Sequence, residues 1–142
     1  MKAISRRLYP RFSTGGARCF EPWQVGSRES LTLRGHSGAV LAVAFSPNGR
    51  QLITASEDHT AMVWNAADGQ AIWTLRGHPD RVVNALFSPD GRRIITVDQN
   101  NAAIVWDATG RRALGIFTSA IDKSLSFSQD SKRIAFVSRV GP

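Results

Sequence analysis

RGHSGAVLAVAFSPNGRQLITASEDHTAMVWNAADGQAIWTL, residues 34–75, runs without a gap into RGHPDRVVNALFSPDGRRIITVDQNNAAIVWDATGRRALGIF, residues 76–117. Laid one on the other at an offset of 42, the two stretches agree at 16 of 42 positions. The agreements fall in blocks. Arg34-Gly35-His36 lies on Arg76-Gly77-His78, Phe45-Ser46-Pro47 on Phe87-Ser88-Pro89, and Gly49-Arg50 on Gly91-Arg92. Thr54 lies on Thr96, and Val63-Trp64 on Val105-Trp106. An internal period of this length marks repeated supersecondary units that bury their faces against one another.

Each unit reads as four short strands. Residues 40–46 are apolar on both faces, with Leu41, Val43 and Phe45 on one side and Val40, Ala42 and Ala44 on the other, as in a strand sandwiched between layers. Pro47-Asn48-Gly49 is a turn, because Pro presets φ and Gly accepts a positive one. Residues 51–56 form the second strand, Glu57-Asp58-His59 turns the chain, and residues 61–65 form the third. Asp68-Gly69 is a hairpin signal, and residues 71–75 form the fourth strand. The second unit repeats the pattern over 82–88, 93–97, 102–107 and 112–117.

Gly-His, then Phe-Ser-Pro-Asn/Asp-Gly, then Val-Trp-Asn/Asp at this spacing resembles the WD repeat of β-propellers. The resemblance runs from residue 30 to about 138, roughly three-quarters of the chain. It implies an all-β fold: a partial β-propeller of antiparallel four-stranded blades whose ring is not closed. The expected organisation is a repeat region over 29–142, with blades near 40–75 and 82–117 and a partial blade near 122–138. The third unit departs from the pattern. Phe127-Ser128-Gln129-Asp130-Ser131 lacks the Pro and Gly, Thr118 to Asp122 replaces the Gly-His, and Phe136 falls where the first two units have Thr. A ring needs at least four blades, about 160–180 residues, so the expectation is a fragment of a longer repeat protein. Assembly with other chains into a ring and an open stack of blades are the alternatives. Glu29 to Leu33 reads as an outermost strand arriving before the first blade, of the kind that completes a last blade in the family.

The resemblance also implies a hydrogen-bonded tetrad in each blade. In the first unit its members are His36, Thr54, Asp58 and Trp64. In the second they are His78, Thr96, Asn100 and Trp106, with Asn100 in the Asp position and therefore a weaker network. A catalytic reading of His36, Asp58 and Ser56 is outweighed, since the His recurs with the repeat while Ser56 becomes Asp98. His36, His59 and His78 have no compact metal-ligand spacing, and no phosphate-cradling glycine loop occurs. Neither a cofactor nor a metal is expected. Cys19 is the sole cysteine and can close no intrachain disulfide.

The net charge of +7 is uneven: residues 1–30 carry +4 and the remaining 112 carry +3. The first 28 residues, punctuated by Pro10, Gly15, Gly16 and Pro22, read as a basic loop or disordered segment. Five basic residues and no acid in the first 20 faintly resemble a transit peptide, although a cytoplasmic location is the expectation. No clustered basic stripe marks the repeats, so nucleic acid is a minor expectation, confined to the tail. No run of 18 apolar residues is present to span a membrane.

The function expected is a non-enzymatic scaffold for protein or peptide partners. Its candidate contact residues are Arg34, Ser37, Glu57 and His59, then Arg76, Asp80, Arg81, Gln99 and Asn101. The alternative is a remnant or regulatory segment of a larger protein. Self-association through open blade faces is also expected. The exposed face of the first blade should draw on Leu41, Ala42, Val43, Ala44, Ile53, Met62 and Val63.

Overall fold

The computed structural model describes residues 7–9, 16–20, 31–109, 112–118 and 121–138. Every regular element among them is a strand. The first blade is β4 (Val40–Phe45), β5 (Gln51–Ser56), β6 (Thr60–Asn65) and β7 (Ala71–Arg76), paired antiparallel in chain order. The second is β8 (Val82–Phe87), β9 (Arg93–Asp98), β10 (Ala103–Asp107) and β11 (Ala113–Phe117), in the same order. A two-stranded sheet follows, β12 (Ile121–Phe127) with β13 (Ile134–Ser138). The sheets are not closed into a barrel, and the architecture is that of a partial propeller.

The blades stack because their strands are apolar on both faces. Ile53, Ala55, Ala61, Val63 and Leu75 of the first blade pack against Val82, Ala85, Ile94, Ile104 and Trp106 of the second. The far side of the second blade, Ile95, Val97, Ala103 and Val105, packs on Leu125, Phe127 and Ile134 of the two-stranded sheet.

The open face expected on the first blade is not there. Ile53 and Val63 are fully buried, because they point at the second blade. Met62 is buried on the other side, under β3 (Leu31–Arg34), whose Leu33 is buried beside Trp64 and Leu52 while Leu31 packs at the edge of the same cluster. Leu41, Ala42, Val43 and Ala44 are half-buried. Of the exposed large apolar side chains among the described residues, Ile72 lies on β7 of the first blade, and the others are Leu114, Ile116 and Phe117 of β11 and Phe136 and Val137 of β13.

The basic leader also differs from its reading as loop. It contains β1 (Arg7–Tyr9) and β2 (Gly16–Phe20), and the order β1-β2-β3 makes an antiparallel sheet. Two strands of three and five residues are too short to show a period of two in a sequence. What orders them is the backbone edge of β3, which offers a ladder irrespective of side-chain pattern.

The turn between first and second strands is built alike in all three units. Ser46, Ser88 and Ser128 each donate their hydroxyl to the side chain two residues on, Asn48, Asp90 and Asp130. Each hydroxyl oxygen also accepts a backbone N–H five residues on, from Gln51, Arg93 and Arg133. Gly49 and Gly91 sit at φ 69° and 72°, and Ser131 holds the same bend at φ 57°. The buried Ser131 hydroxyl accepts the Asp90 N–H at 3.0 Å, tying the turn to the blade before it. The third unit therefore keeps the turn although its sequence has lost both Pro and Gly.

Candidate functional site

The polar groups of each blade converge at the end where the second strand turns into the third. In the first blade Trp64 Nε1 donates to Thr54 Oγ1 at 2.8 Å, and Thr54 Oγ1 lies 2.7 Å from His36 Nε2. His36 Nδ1 lies 2.8 Å from Asp58 Oδ2. A carboxylate only accepts, so His36 donates from Nδ1, and the Nε2 of the neutral ring is left to accept the Thr54 hydroxyl. The result is one directional chain: Trp64 to Thr54, Thr54 to His36, His36 to Asp58. His36, Thr54 and Trp64 are buried. Trp64 reaches its position because Gly35 clears it: a Cβ on that glycine would fall 2.9 Å from the indole Cη2.

Asp58 does more than receive the imidazole. Its Oδ2 accepts the Ser37 N–H and its Oδ1 accepts both the N–H and the hydroxyl of Thr60. Burial works to raise its pKa, but the hydrogen bonds from Thr60, His36 and Ser37 together outweigh it. The carboxyl is held below the usual range.

In the second blade Trp106 Nε1 donates to Thr96 Oγ1 at 2.8 Å, which lies 2.6 Å from His78 Nε2. The fourth member is not Asn100. His78 Nδ1 meets Asp98 Oδ2 at 3.2 Å, and Asp98 Oδ1 accepts the Ala102 N–H. Asn100 points elsewhere and donates to Asp80 Oδ2 at 2.9 Å. The expectation of an uncharged network in this blade is therefore corrected: a fully buried carboxylate is present, two residues earlier.

Asp98 ends β9 and Asn100 stands two residues on in the turn to β10, so both lie at the tetrad end of the sheet. Two features of the loop select the earlier one. Pro79 stands where Ser37 stands in the first blade and has no N–H to give a carboxylate at position 100. Asp80 replaces Gly38, whose close approach leaves a Cβ only 2.7 Å from the Asp58 backbone nitrogen. The signal was present in the sequence as the change from Ser56 to Asp98. Ser56 itself serves the turn, its hydroxyl accepting the Asp58 N–H.

Burial lowers the pKa of His78, and the hydrogen bond and charge of Asp98 only partly oppose it. Its folded pKa lies below the ordinary 6.5, so the unfolded chain binds the proton more readily. Stability contributed by neutral His78 is complete above that value and declines as pH falls through it toward the lower folded pKa. The expected result is a melting temperature that drops between about pH 7 and 5, with the drop reduced in His78→Gln. Thermal denaturation followed by circular dichroism across that range measures it.

The candidate contact residues lie around the same end. Arg34, Ser37, Glu57, His59, Arg76, Arg81 and Gln99 are exposed, while Asp80 and Asn101 are half-buried. His59 and Asn101 take φ 68° and 64° at matching places in the two turns. Arg81 Nη1 meets Glu57 Oε1 at 3.3 Å, linking the loops of neighbouring blades. Among the described residues no three His, Cys, Asp or Glu side chains gather as metal ligands.

The model of the WD domain, G-beta repeat family matches residues 27–65 and 69–107. Similar proteins include protein tipD of Dictyostelium discoideum, 36% identical over 58 residues, which are 40% of this chain and 10% of that protein. Apoptotic protease-activating factor 1 of Rattus norvegicus is 45% identical over 47 residues, 32% of this chain and 4% of that protein. Protein HIRA of Caenorhabditis elegans is 43% identical over 53 residues, 37% of this chain and 5% of that protein. The chain thus spans a small part of the length of each. Repeats of this kind are general protein-interaction scaffolds. Two matched repeats cover more than half of the sequence, and the chain belongs to the WD domain, G-beta repeat family.

Proposed function

We propose that this chain is a docking scaffold for a protein or peptide partner and not an enzyme, and that it docks through the loops at the tetrad end of its two complete blades. One observation carries the reading. The tetrads pin each loop from beneath, while most of the candidate side chains around them are exposed and of mixed sign, with Arg34 and Arg76, Glu57 and Gln99, and His59 and Asn101 in matching places. Loops held by a rigid scaffold are the usual carriers of recognition. The tetrad groups themselves are poor catalysts. Thr54 and Thr96 are wholly buried, and each hydroxyl already faces both an indole N–H and an imidazole nitrogen, so a substrate cannot reach them.

The test is a peptide-display selection on the full chain, followed by affinity measurements on the selected peptides. Arg76→Glu and Arg81→Glu are expected to weaken binding by about tenfold or more through reversed rim charge. Arg92→Glu, on the turn at the other end of the sheet, is expected to leave it unchanged. Selected ligands that respond to Arg92 and ignore Arg76 and Arg81 would place the surface elsewhere and defeat the proposal.

A further inference from the structure

Each of the three units carries cations just past its first turn. Arg50 follows Gly49, Arg92 and Arg93 follow Gly91, and Lys132 and Arg133 follow Ser131. All five are exposed. The first of each set stands at 50, 92 and 132, too far apart for the sequence to show a basic run. The fold gathers them. Sheets stacked face to face lie about 10 Å apart, so three successive turns span about 20 Å. The turns also meet one another. A Cβ on Gly91 would fall 3.7 Å from Pro47 Cδ, and the Asp90 N–H reaches Ser131 Oγ at 3.0 Å. The carbonyls of Arg50 and Arg92 accept the N–H groups of Ala66 and Ala108 at 2.9 Å, which fixes the backbone beneath each guanidinium.

The charge of this end is not cancelled. Residues 47–51, 89–93 and 129–133 hold five basic side chains against two acidic ones, Asp90 and Asp130. Both acids serve their own turns, each accepting a serine hydroxyl and the N–H two residues on. Among the described residues none of the five cations makes an ion pair. The adjacent turns, 66–70 and 107–112, hold two bases and two acids and leave the balance unchanged. The tetrad end has the opposite sign: Glu57, Asp80 and the two tetrad carboxylates stand there against Arg34, Arg76 and Arg81. The positive excess of the blades therefore lies at the end away from the tetrads.

We propose that this row of turns is a second docking surface, and that it binds the phosphate backbone of a double-stranded nucleic acid without reading its sequence. The composition of the turns selects that occupant. They hold Pro, Asn, Asp, Gly, Gln, Ser, Arg and Lys, with no aromatic and no large aliphatic side chain. Single strands bind by stacking their bases on aromatic rings, and none is present in the turns. A membrane-bound loop or helix inserts apolar side chains between the lipids, and these turns offer none. A peptide partner is anchored by buried aromatic or apolar groups, which are equally missing. Duplex phosphates need only cations at a regular spacing, and the repeat supplies them. Four of the five are arginines, whose planar fork matches two phosphate oxygens at once. The surface lies at the opposite end of the sheets from the peptide-docking loops and does not rest on them.

The experiment titrates the full chain into a labelled mixed-sequence DNA duplex and follows fluorescence anisotropy over a range of salt. Binding on the order of 10 μM or tighter is expected at 50 mM salt, with a slope of log affinity on log salt of about −3 to −4, as for about four phosphate contacts. Arg50→Glu with Lys132→Glu, at the outer turns of the row, is expected to weaken binding by about tenfold or more and to flatten the slope by about 2. Arg34→Glu with Arg76→Glu makes the same change in net charge at the tetrad end and is expected to leave duplex binding unchanged. That pair separates the row from the overall charge and from the basic leader, and circular dichroism confirms that both variants fold. An RNA duplex of the same sequence should bind within about threefold, since no contact reaches a base or a 2′-hydroxyl. The proposal is overturned by absence of binding, by equal losses in the two double variants, or by a preference of tenfold or more between the two duplexes. Tighter binding of a single strand, of a glutamate-rich peptide or of phosphatidylserine vesicles than of the duplex overturns it as well.

Discussion

Replacing Asp98 by Ala is expected to destabilise the chain by about 3 kcal/mol, whereas Asn100→Ala should stay within about 0.5 kcal/mol. Asp98 is fully buried and serves two partners, the His78 ring and the Ala102 N–H. Its loss strands both in a place that water does not reach, and an unpaired buried group costs about 1–3 kcal/mol. Asn100 is exposed and holds only Asp80 at the surface. In a chain of this size the difference corresponds to a melting temperature lower by about 10 °C in the Asp98 variant. Thermal denaturation of the two variants side by side decides it. Equal losses would return Asn100 to the tetrad. The first blade supplies a comparison, since there Asp58→Ala removes the acceptor of His36, Ser37 and Thr60 together.

That contrast also marks how far the sequence can be read. The repeat, the four strands of each complete blade and the Trp, Thr and His of each tetrad follow from residue types at fixed spacing. The position of the last carboxylate does not, because the end of the second strand and the turn after it lie at the same end of the sheet, and spacing does not say which of the two faces the His. The choice between them depends on Pro79 and Asp80 in a loop 20 residues away. The same limit applies at both ends of the chain. β1 and β2 are specified by a neighbour's free backbone edge rather than by their own side chains. Leu31 and Leu33 read as the strand before a blade, yet nothing in their spacing says that they cover Met62 and Trp64. In the third unit the missing Gly suggests a lost turn, but Ser128 caps it and Ser131 accepts the positive φ.

Thr54→Val should be the most damaging near-isosteric change in the first blade, at about 3–5 kcal/mol. The methyl that replaces the hydroxyl fills the same space, so no cavity forms and the whole cost is polar. Two buried groups lose their partner at once: the Trp64 indole N–H, which donates to Thr54 Oγ1, and His36 Nε2, which accepts from it. Neither has another place to turn. Trp64 is packed among Leu33, Leu52 and Met62, and the His36 ring is fixed on its other side by Asp58. A double-mutant cycle separates this from simple packing. Trp64→Phe on its own removes the N–H and part of the ring. In the Thr54→Val background it also removes one of the two stranded groups, so the second change should cost less than it does in the parent. A coupling of about 1 kcal/mol or more, read from denaturant melts of the four proteins, is the expected outcome. Additive losses would mean that Trp64 is held by its apolar contacts alone. The donor chain that ends on Asp58 would then be a consequence of the packing and not one of its causes.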